Sequence, residues 1–180
     1  MIIYNFPGVT AGIDLDSDLI NDLAKTCKNI VGVKLTCGNV GKLQRISAAN
    51  PATQFSPFAG KADFLLPALV AGSNGVISAL ANVVPRVHGE VLRLYSEGNI
   101  RAARDLQNKL SEADWELSKL GISGVKAVTT WFFGYGSARA RSPLSTTSVS
   151  DITPNARRTL QEVVSVEKGL AGQPKFNASL

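Results

Sequence analysis

The chain has 180 residues, 44% hydrophobic and 18% charged, a composition that suits one globular domain and excludes a disordered chain. The net charge of +5 does not make a nucleic-acid binder, because Arg139, Arg141, Arg157 and Arg158 are scattered through a polar stretch and a helix start rather than gathered on one face with aromatic residues. No apolar run reaches the roughly 20 residues of a membrane helix; the longest candidate, residues 64–84, is interrupted by Pro67, Gly72, Ser73, Asn74, Gly75 and Asn82.

The first residues, Met1-Ile2-Ile3-Tyr4-Asn5-Phe6-Pro7, carry no basic n-region and no cleavage pattern, so they do not read as a signal peptide. They are followed in chain order by alternating strands and helices. Residues 1–4 read as a strand. Asp16 or Ser17 can cap a helix with Leu19, Ile20, Leu23 and Ala24 on its apolar face. Residues 30–35 form a second strand, and residues 38–49 a helix stopped by Asn50-Pro51. A third strand is expected at residues 53–56, and a helix at 61–71 with Phe64, Leu65, Ala68 and Leu69 on one face. Residues 76–78 make a very short fourth strand. Four repeats of β-α imply a parallel sheet.

Helices and one polar loop follow. His88, the single histidine, falls in a helix expected at residues 86–95 and is expected on the surface; alone it cannot build a multi-histidine metal centre. Residues 100–120 form a long helix, with Ala103, Leu106, Leu110, Ala113, Leu117 and Leu120 in steps of three and four. Residues 121–124 break it, and residues 125–133 resume as an apolar helix. Residues 134–150 are an irregular loop. Thr153-Pro154 opens the last helix as cap and first-turn proline, and the tail from Gly169 reads as frayed. Cys27 and Cys37 make no disulfide framework and are expected as reduced thiols in an intracellular protein. A cytoplasmic location is expected, with a mitochondrial one left open.

One residue is out of place in this pattern. Lys34 sits in Ile30-Val31-Gly32-Val33-Lys34-Leu35-Thr36, an otherwise apolar, β-branched run that reads as a strand buried on both faces. Burial disfavours an ammonium, and a neutral amine can attack a carbonyl to form a Schiff base. The alternative is a strand end where Lys34 snorkels to water.

Four segments line up with it. Tyr4-Asn5-Phe6-Pro7-Gly8-Val9-Thr10 follows the first strand and Gly32-Val33-Lys34-Leu35-Thr36 ends the second. Phe58-Ala59-Gly60-Lys61-Ala62-Asp63 follows the third. Gly72-Ser73-Asn74-Gly75-Val76-Ile77-Ser78, with Asn82 and Pro85, surrounds the fourth. Their order and spacing resemble the pyruvate-dependent class I aldolases of the dihydrodipicolinate synthase and N-acetylneuraminate lyase family, over essentially the whole chain.

The resemblance implies that Lys34 forms a Schiff base with pyruvate and that Tyr4 relays protons. The alternative for Tyr4 is a packing aromatic at a strand end. It implies that Gly60 and Ile77 line the substrate pocket, largely through backbone groups, where loop geometry and barrel packing are the other reading. No metal and no organic cofactor is implied. The partners implied are small molecules, pyruvate with an aldehyde or a 2-keto-3-deoxy acid, and a homo-oligomer is expected. Dihydrodipicolinate synthases carry an arginine for the aldehyde's carboxylate where this chain has Val9. Losing a bidentate carboxylate partner argues against lysine biosynthesis. The stretches Pro7-Gly8-Val9-Thr10 and Gly12-Ile13-Asp14-Leu15 look more like 4-hydroxy-2-oxoglutarate aldolases and fungal L-threo-3-deoxy-hexulosonate aldolases.

The fold implied is α/β, the C-terminal half of a TIM (β/α)8 barrel (strands 5–8) followed by a C-terminal helical extension. Residues 1–85 would carry the β/α units and the Schiff-base lysine, and residues 86–180 the last barrel helix and the extension, as one domain. Family members are complete barrels of about 250 residues or more. The Gly-Thr-Thr-Gly-Glu stretch that binds the pyruvate carboxylate in the family has no counterpart here. Four parallel strands cannot close a barrel. Three readings follow: a truncated aldolase, half-barrels that pair with each other or with a separate N-terminal half, or a catalytically impaired module that interacts with a full-length relative.

Overall fold

Strand β1 (Ile2–Asn5) runs parallel to β2 (Gly32–Leu35), and β2 runs parallel to β3 (Ser56–Ala59), in a computed structural model that describes residues 1–172. The register places Tyr4 beside Lys34, and Lys34 beside Phe58. Two compact units divide between Ser78 and Ala79.

In the first unit, α1 (Ser17–Thr26), α2 (Val40–Ala49) and α3 (Leu65–Val70) connect the strands. Asp16 caps α1 by accepting from the Leu19 N–H at 2.8 Å, and Asn39 caps α2 by accepting from the Lys42 N–H at 2.8 Å. Ile20, Leu43, Ile46 and Ala68 of these helices pack with Val33, Leu35 and Ala59 in one core cluster. Burying Leu43 or Ile46 completely contributes about 1.5–3 kcal/mol each.

The sheet is covered on one face. Asn5, Val33, Leu35, Pro57 and Ala59 are buried, while Tyr4, Lys34 and Phe58, one register step away, are half-buried or exposed. The apolar run around Lys34 therefore does not make a strand enclosed on both sides. Parallel strands in sequential order, joined by right-handed crossovers, put every helix on the same side.

Several elements differ from the sequence reading: β2 begins at Gly32 rather than at residue 30, and α2 at Val40 rather than at residue 38. The third strand lies at Ser56–Ala59 rather than at 53–56, because Pro51 opens a turn that takes the N–H groups of Gln54 (2.9 Å) and Phe55 (3.1 Å) on its carbonyl. The segment expected as one helix over 61–71 is a 3-10 turn at Ala62–Phe64 followed by α3. The fourth strand is a single parallel bridge from Ala59 to Val76, flanked by Ala59 N–H to Gly75 carbonyl (3.0 Å) and Ile77 N–H to Ala59 carbonyl (2.9 Å). The Ser73 hydroxyl donates to Gly75 (2.7 Å) or Pro57 (3.0 Å), tying this short segment to β3.

The second unit holds α4 (Pro85–Ser96), α5 (Ile100–Phe133) and α6 (Pro154–Gly169). The break expected over 121–124 is confined to Gly121, whose φ of 61° and ψ of −161° kink α5 before it continues to Phe133. Pro154 takes the first turn of α6, and the Thr153 hydroxyl accepts from the Ala156 N–H at 3.2 Å. α6 ends at Gly169, and the expectation for the tail past Gly172 lies outside the described residues.

His88 is not a surface residue. It is 5% exposed and its Nδ1–H donates to the Val84 carbonyl at 2.8 Å. Val87, Val91 and Leu94 form the buried stripe of α4, and His88, next to Val87, widens it. Burial holds its imidazole below the ordinary value, against the Val84 hydrogen bond and the charge of Glu167. Glu167, 1% exposed on α6, accepts from Arg86 Nη1 (2.9 Å) and from the Val87 N–H (3.0 Å). A carboxylate thus satisfies an otherwise unpaired first-turn donor of α4. No helix among the described residues is long and apolar enough to cross a membrane.

Candidate active site

The carboxyl ends of the three strands carry the residues singled out by the sequence. Tyr4 and Lys34 are cross-strand neighbours, and Lys34 Nζ lies 4.1 Å from the centroid of the Tyr4 ring. An ammonium over a ring face is attracted by the ring quadrupole. The Phe6 ring stacks on Tyr4 at 5.7 Å and 29°. Tyr4 is 53% exposed and Lys34 half-buried, so the amine faces the open side of the sheet rather than a closed apolar interior. Lys34 is therefore not the deeply buried lysine expected from its strand.

Gly60 follows β3. Its N–H donates to the Leu35 carbonyl at 3.0 Å, so this donor already belongs to the strand ladder. A Cβ at this position would lie 2.5 Å from both the N and the Cα of Thr36. Ile77 is joined to the same strand end through its N–H bond to Ala59, and its side chain is 40% exposed. The ladder from β1 to Val76 therefore brings Tyr4, Lys34, Gly60 and Ile77 to one end of one sheet.

The sequence reading missed several neighbours. Phe58 stands beside Lys34 in register. Thr36 is buried, and its hydroxyl has no hydrogen-bond partner among the described residues. It lies in the turn just past β2, two residues after Lys34, where strand alternation no longer assigns a face. Asn5 is 2% exposed, within the Tyr-Asn-x-Pro motif. Its Nδ2 donates to Asp14 Oδ1 at 2.7 Å and its Oδ1 accepts from the Leu15 N–H at 3.0 Å.

Lys42, 3% exposed in the first turn of α2, is the enclosed lysine near this end of the sheet, and its Nζ pairs with the same Asp14 oxygen. Lys42 and Asn5 together hold the Asp14 carboxyl below the usual carboxylate range. No pattern within α2 marks Lys42 as buried, because its partner is 28 residues away.

Comparison with known proteins shows the family of the chain. The model of the dihydrodipicolinate synthetase family matches residues 1–163. L-threo-3-deoxy-hexylosonate aldolase of Hypocrea jecorina is 40% identical over 177 residues, covering 94% of this chain and 55% of that protein. A protein of Emericella nidulans named "Probable 4-hydroxy-2-oxoglutarate aldolase, mitochondrial" is 39% identical over 173 residues, covering 96% of this chain and 55% of its own length. A solved dihydrodipicolinate synthase family protein of Coccidioides immitis superposes with a TM-score of 0.78 at 37% identity, over 94% of this chain and 55% of its own. The chain spans about half the length of the curated relatives it matches. The sheet and helices correspond to the C-terminal half of the family's barrel, followed by its helical extension.

Proposed function

Given that the chain belongs to the dihydrodipicolinate synthetase family, we propose that it carries the Schiff-base half of a class I aldolase site, with Lys34 as nucleophile and Tyr4 as proton carrier. The observation that supports this reading is Lys34 Nζ lying over the Tyr4 ring at 4.1 Å, on paired strands, at the end of the sheet where βα loops gather.

The chemistry balances with these two groups. Nζ adds to the C2 carbonyl of pyruvate and water leaves, forming an iminium. A base removes a C3 proton, and the electron pair becomes the C2=C3 bond of an enamine while the C=N pair returns to nitrogen. The enamine attacks an aldehyde carbon, and the new alkoxide takes up a proton. Hydrolysis of the iminium frees Lys34. The reverse sequence cleaves a 2-oxo acid into pyruvate and an aldehyde. Tyr4 would carry the protons, a role whose contribution is typically about a hundredfold to ten-thousandfold.

The substrate class we propose is a 2-keto-3-deoxy acid or 4-hydroxy-2-oxo acid. Val9, which cannot clamp a carboxylate, and the names of the two fungal relatives favour it over dihydrodipicolinate synthesis. Gly60 and Ile77 would border the pocket. We place the chemistry in residues 1–85. The assembly we propose is a homo-oligomer, and the compartment is the cytoplasm or, as the Emericella nidulans name suggests, the mitochondrion. A second reading, a non-catalytic module that docks on a full-length relative, is favoured by the open sheet face, where Ile2 (48%) and Tyr4 (53%) are exposed.

Borohydride trapping with pyruvate, read by intact mass and peptide mapping, separates the two. A pyruvyl adduct on Lys34 is expected. Lys34→Ala should lose it while staying folded, since truncating a half-exposed side chain costs about 0.5 kcal/mol or less. A folded wild-type chain that traps nothing, or an adduct that survives Lys34→Ala, overturns the assignment.

A further inference from the structure

The enclosed lysine, Lys42, is not at the reacting position, and its placement is unfavourable on two counts. It is 3% exposed, and it stands in the first turn of α2, where the helix dipole disfavours a cation. A methionine would fill similar space without desolvating the Lys42 charge, and Asp14 is 43% exposed, so the pair is only half enclosed and its stabilisation is modest. Its geometry is what distinguishes it. Lys42 Nζ and Asn5 Nδ2 converge on the same oxygen of Asp14, and Asn5 Oδ1 holds the next residue's backbone, the Leu15 N–H.

We propose that Lys42, Asp14 and Asn5 are positioning residues that fix the loop after β1, and with it Tyr4, for proton transfer; this rests on the Schiff-base reading above. The loop leaves β1 beside Tyr4 and returns at Asp14, and the cluster locks its two ends together. Between them the loop is braced internally. Val9 N–H donates to Phe6 (3.0 Å) and Gly12 N–H to Pro7 (2.9 Å), while the Thr10 hydroxyl lies 3.1 Å from the Phe6 carbonyl and 3.0 Å from that of Ile13. A displacement at Asp14 therefore reaches Tyr4 by two routes, through the Asn5 backbone and through the Phe6 ring stacked on Tyr4. Tyr4 is more than half exposed, so its own burial does not hold it. Small errors in the placement of a proton carrier are costly in rate.

The test compares wild type, Lys42→Met and Lys42→Arg in two assays. Borohydride trapping of pyruvate reads Lys34. Exchange of pyruvate C3 protons in deuterated water, followed by NMR, reads the proton carrier. Lys42→Met should keep the pyruvyl adduct but slow C3 exchange about tenfold or more, and Lys42→Arg, which restores the cation, should recover it. C3 exchange at the wild-type rate in Lys42→Met overturns the proposal. So does an equal loss of trapping and exchange, which marks general structural support. A wild-type chain that forms no adduct defeats the Schiff-base reading and this proposal together. An adduct without C3 exchange in the wild type removes the role of Tyr4, and the proposal with it. Should Lys42→Met not fold, Lys42→Gln, which keeps a donor for Asp14 without the charge, carries the same comparison.

Discussion

Replacing Gly60 by alanine tests how tightly the strand ends are joined beside the candidate site. The added Cβ would lie 2.5 Å from the N and 2.5 Å from the Cα of Thr36. Comfortable carbon contacts begin near 3.5 Å, so the ends of β2 and β3 must part by about 1 Å. The Thr36 hydroxyl is also in the way and can turn aside, but the N and Cα are backbone atoms, which no rotamer change can move. Overpacking of this kind costs about 1–3 kcal/mol. Lengthening the Gly60–Leu35 hydrogen bond, 3.0 Å in the native ladder, adds about 1 kcal/mol. A loss near 3 kcal/mol, at a urea dependence of about 2 kcal/mol per molar, lowers the unfolding midpoint by about 1.5 M.

Equilibrium urea unfolding followed by far-ultraviolet circular dichroism measures that shift. The control is Thr36→Ala. It removes the hydroxyl but leaves the N and Cα in place, so it should not rescue Gly60→Ala in a double-mutant cycle. An unchanged midpoint for Gly60→Ala, or full rescue by Thr36→Ala, refutes the reasoning. Pyruvate trapping in the same variant should also fall, because Phe58 on the displaced strand is the register partner of Lys34.

Two further predictions concern pH. Burial lowers the pKa of His88 in the folded chain, so the unfolded chain binds that proton more readily; stability is full above about pH 6.5 and declines as the pH falls below it. Because His88 is the only histidine, NMR can follow its ring directly, and a midpoint at or above 6.5 would contradict its burial. The Asp14 carboxyl has a depressed pKa in the folded chain, so its contribution is present above about pH 3.8 and is lost as the pH falls through the folded value. Lys42→Met removes the largest cause of that depression. Its urea midpoint should therefore decline less steeply below about pH 4 than that of the wild type, and parallel acid limbs would exclude the pairing.

What could be read from the chain and what could not divides along the range of the interactions. Helix starts at Asp16 and Thr153, the break near Gly121 and the alternation of β and α elements are set by residues within a few positions of one another, and the sequence alone determined them. The third strand was misplaced because an equally local event, the Pro51 turn, consumed the N–H groups that a strand at 53–56 would have used. The motif segments carried the resemblance to the family, and the resemblance pointed to Tyr4; Lys34 also stood out by itself as a lysine within an apolar run.

Burial was not legible in the same way. Which lysine is enclosed depends on Asp14 reaching across to Lys42 from 28 residues away, and on the sheet keeping one face open at Lys34. His88 is buried because α5 and α6 pack against α4, and Glu167 meets Arg86 and Val87 across about eighty positions of chain. Desolvation and ion pairing are properties of the assembled surroundings rather than of a residue and its neighbours in sequence. They are therefore decided only when the tertiary structure brings those groups together.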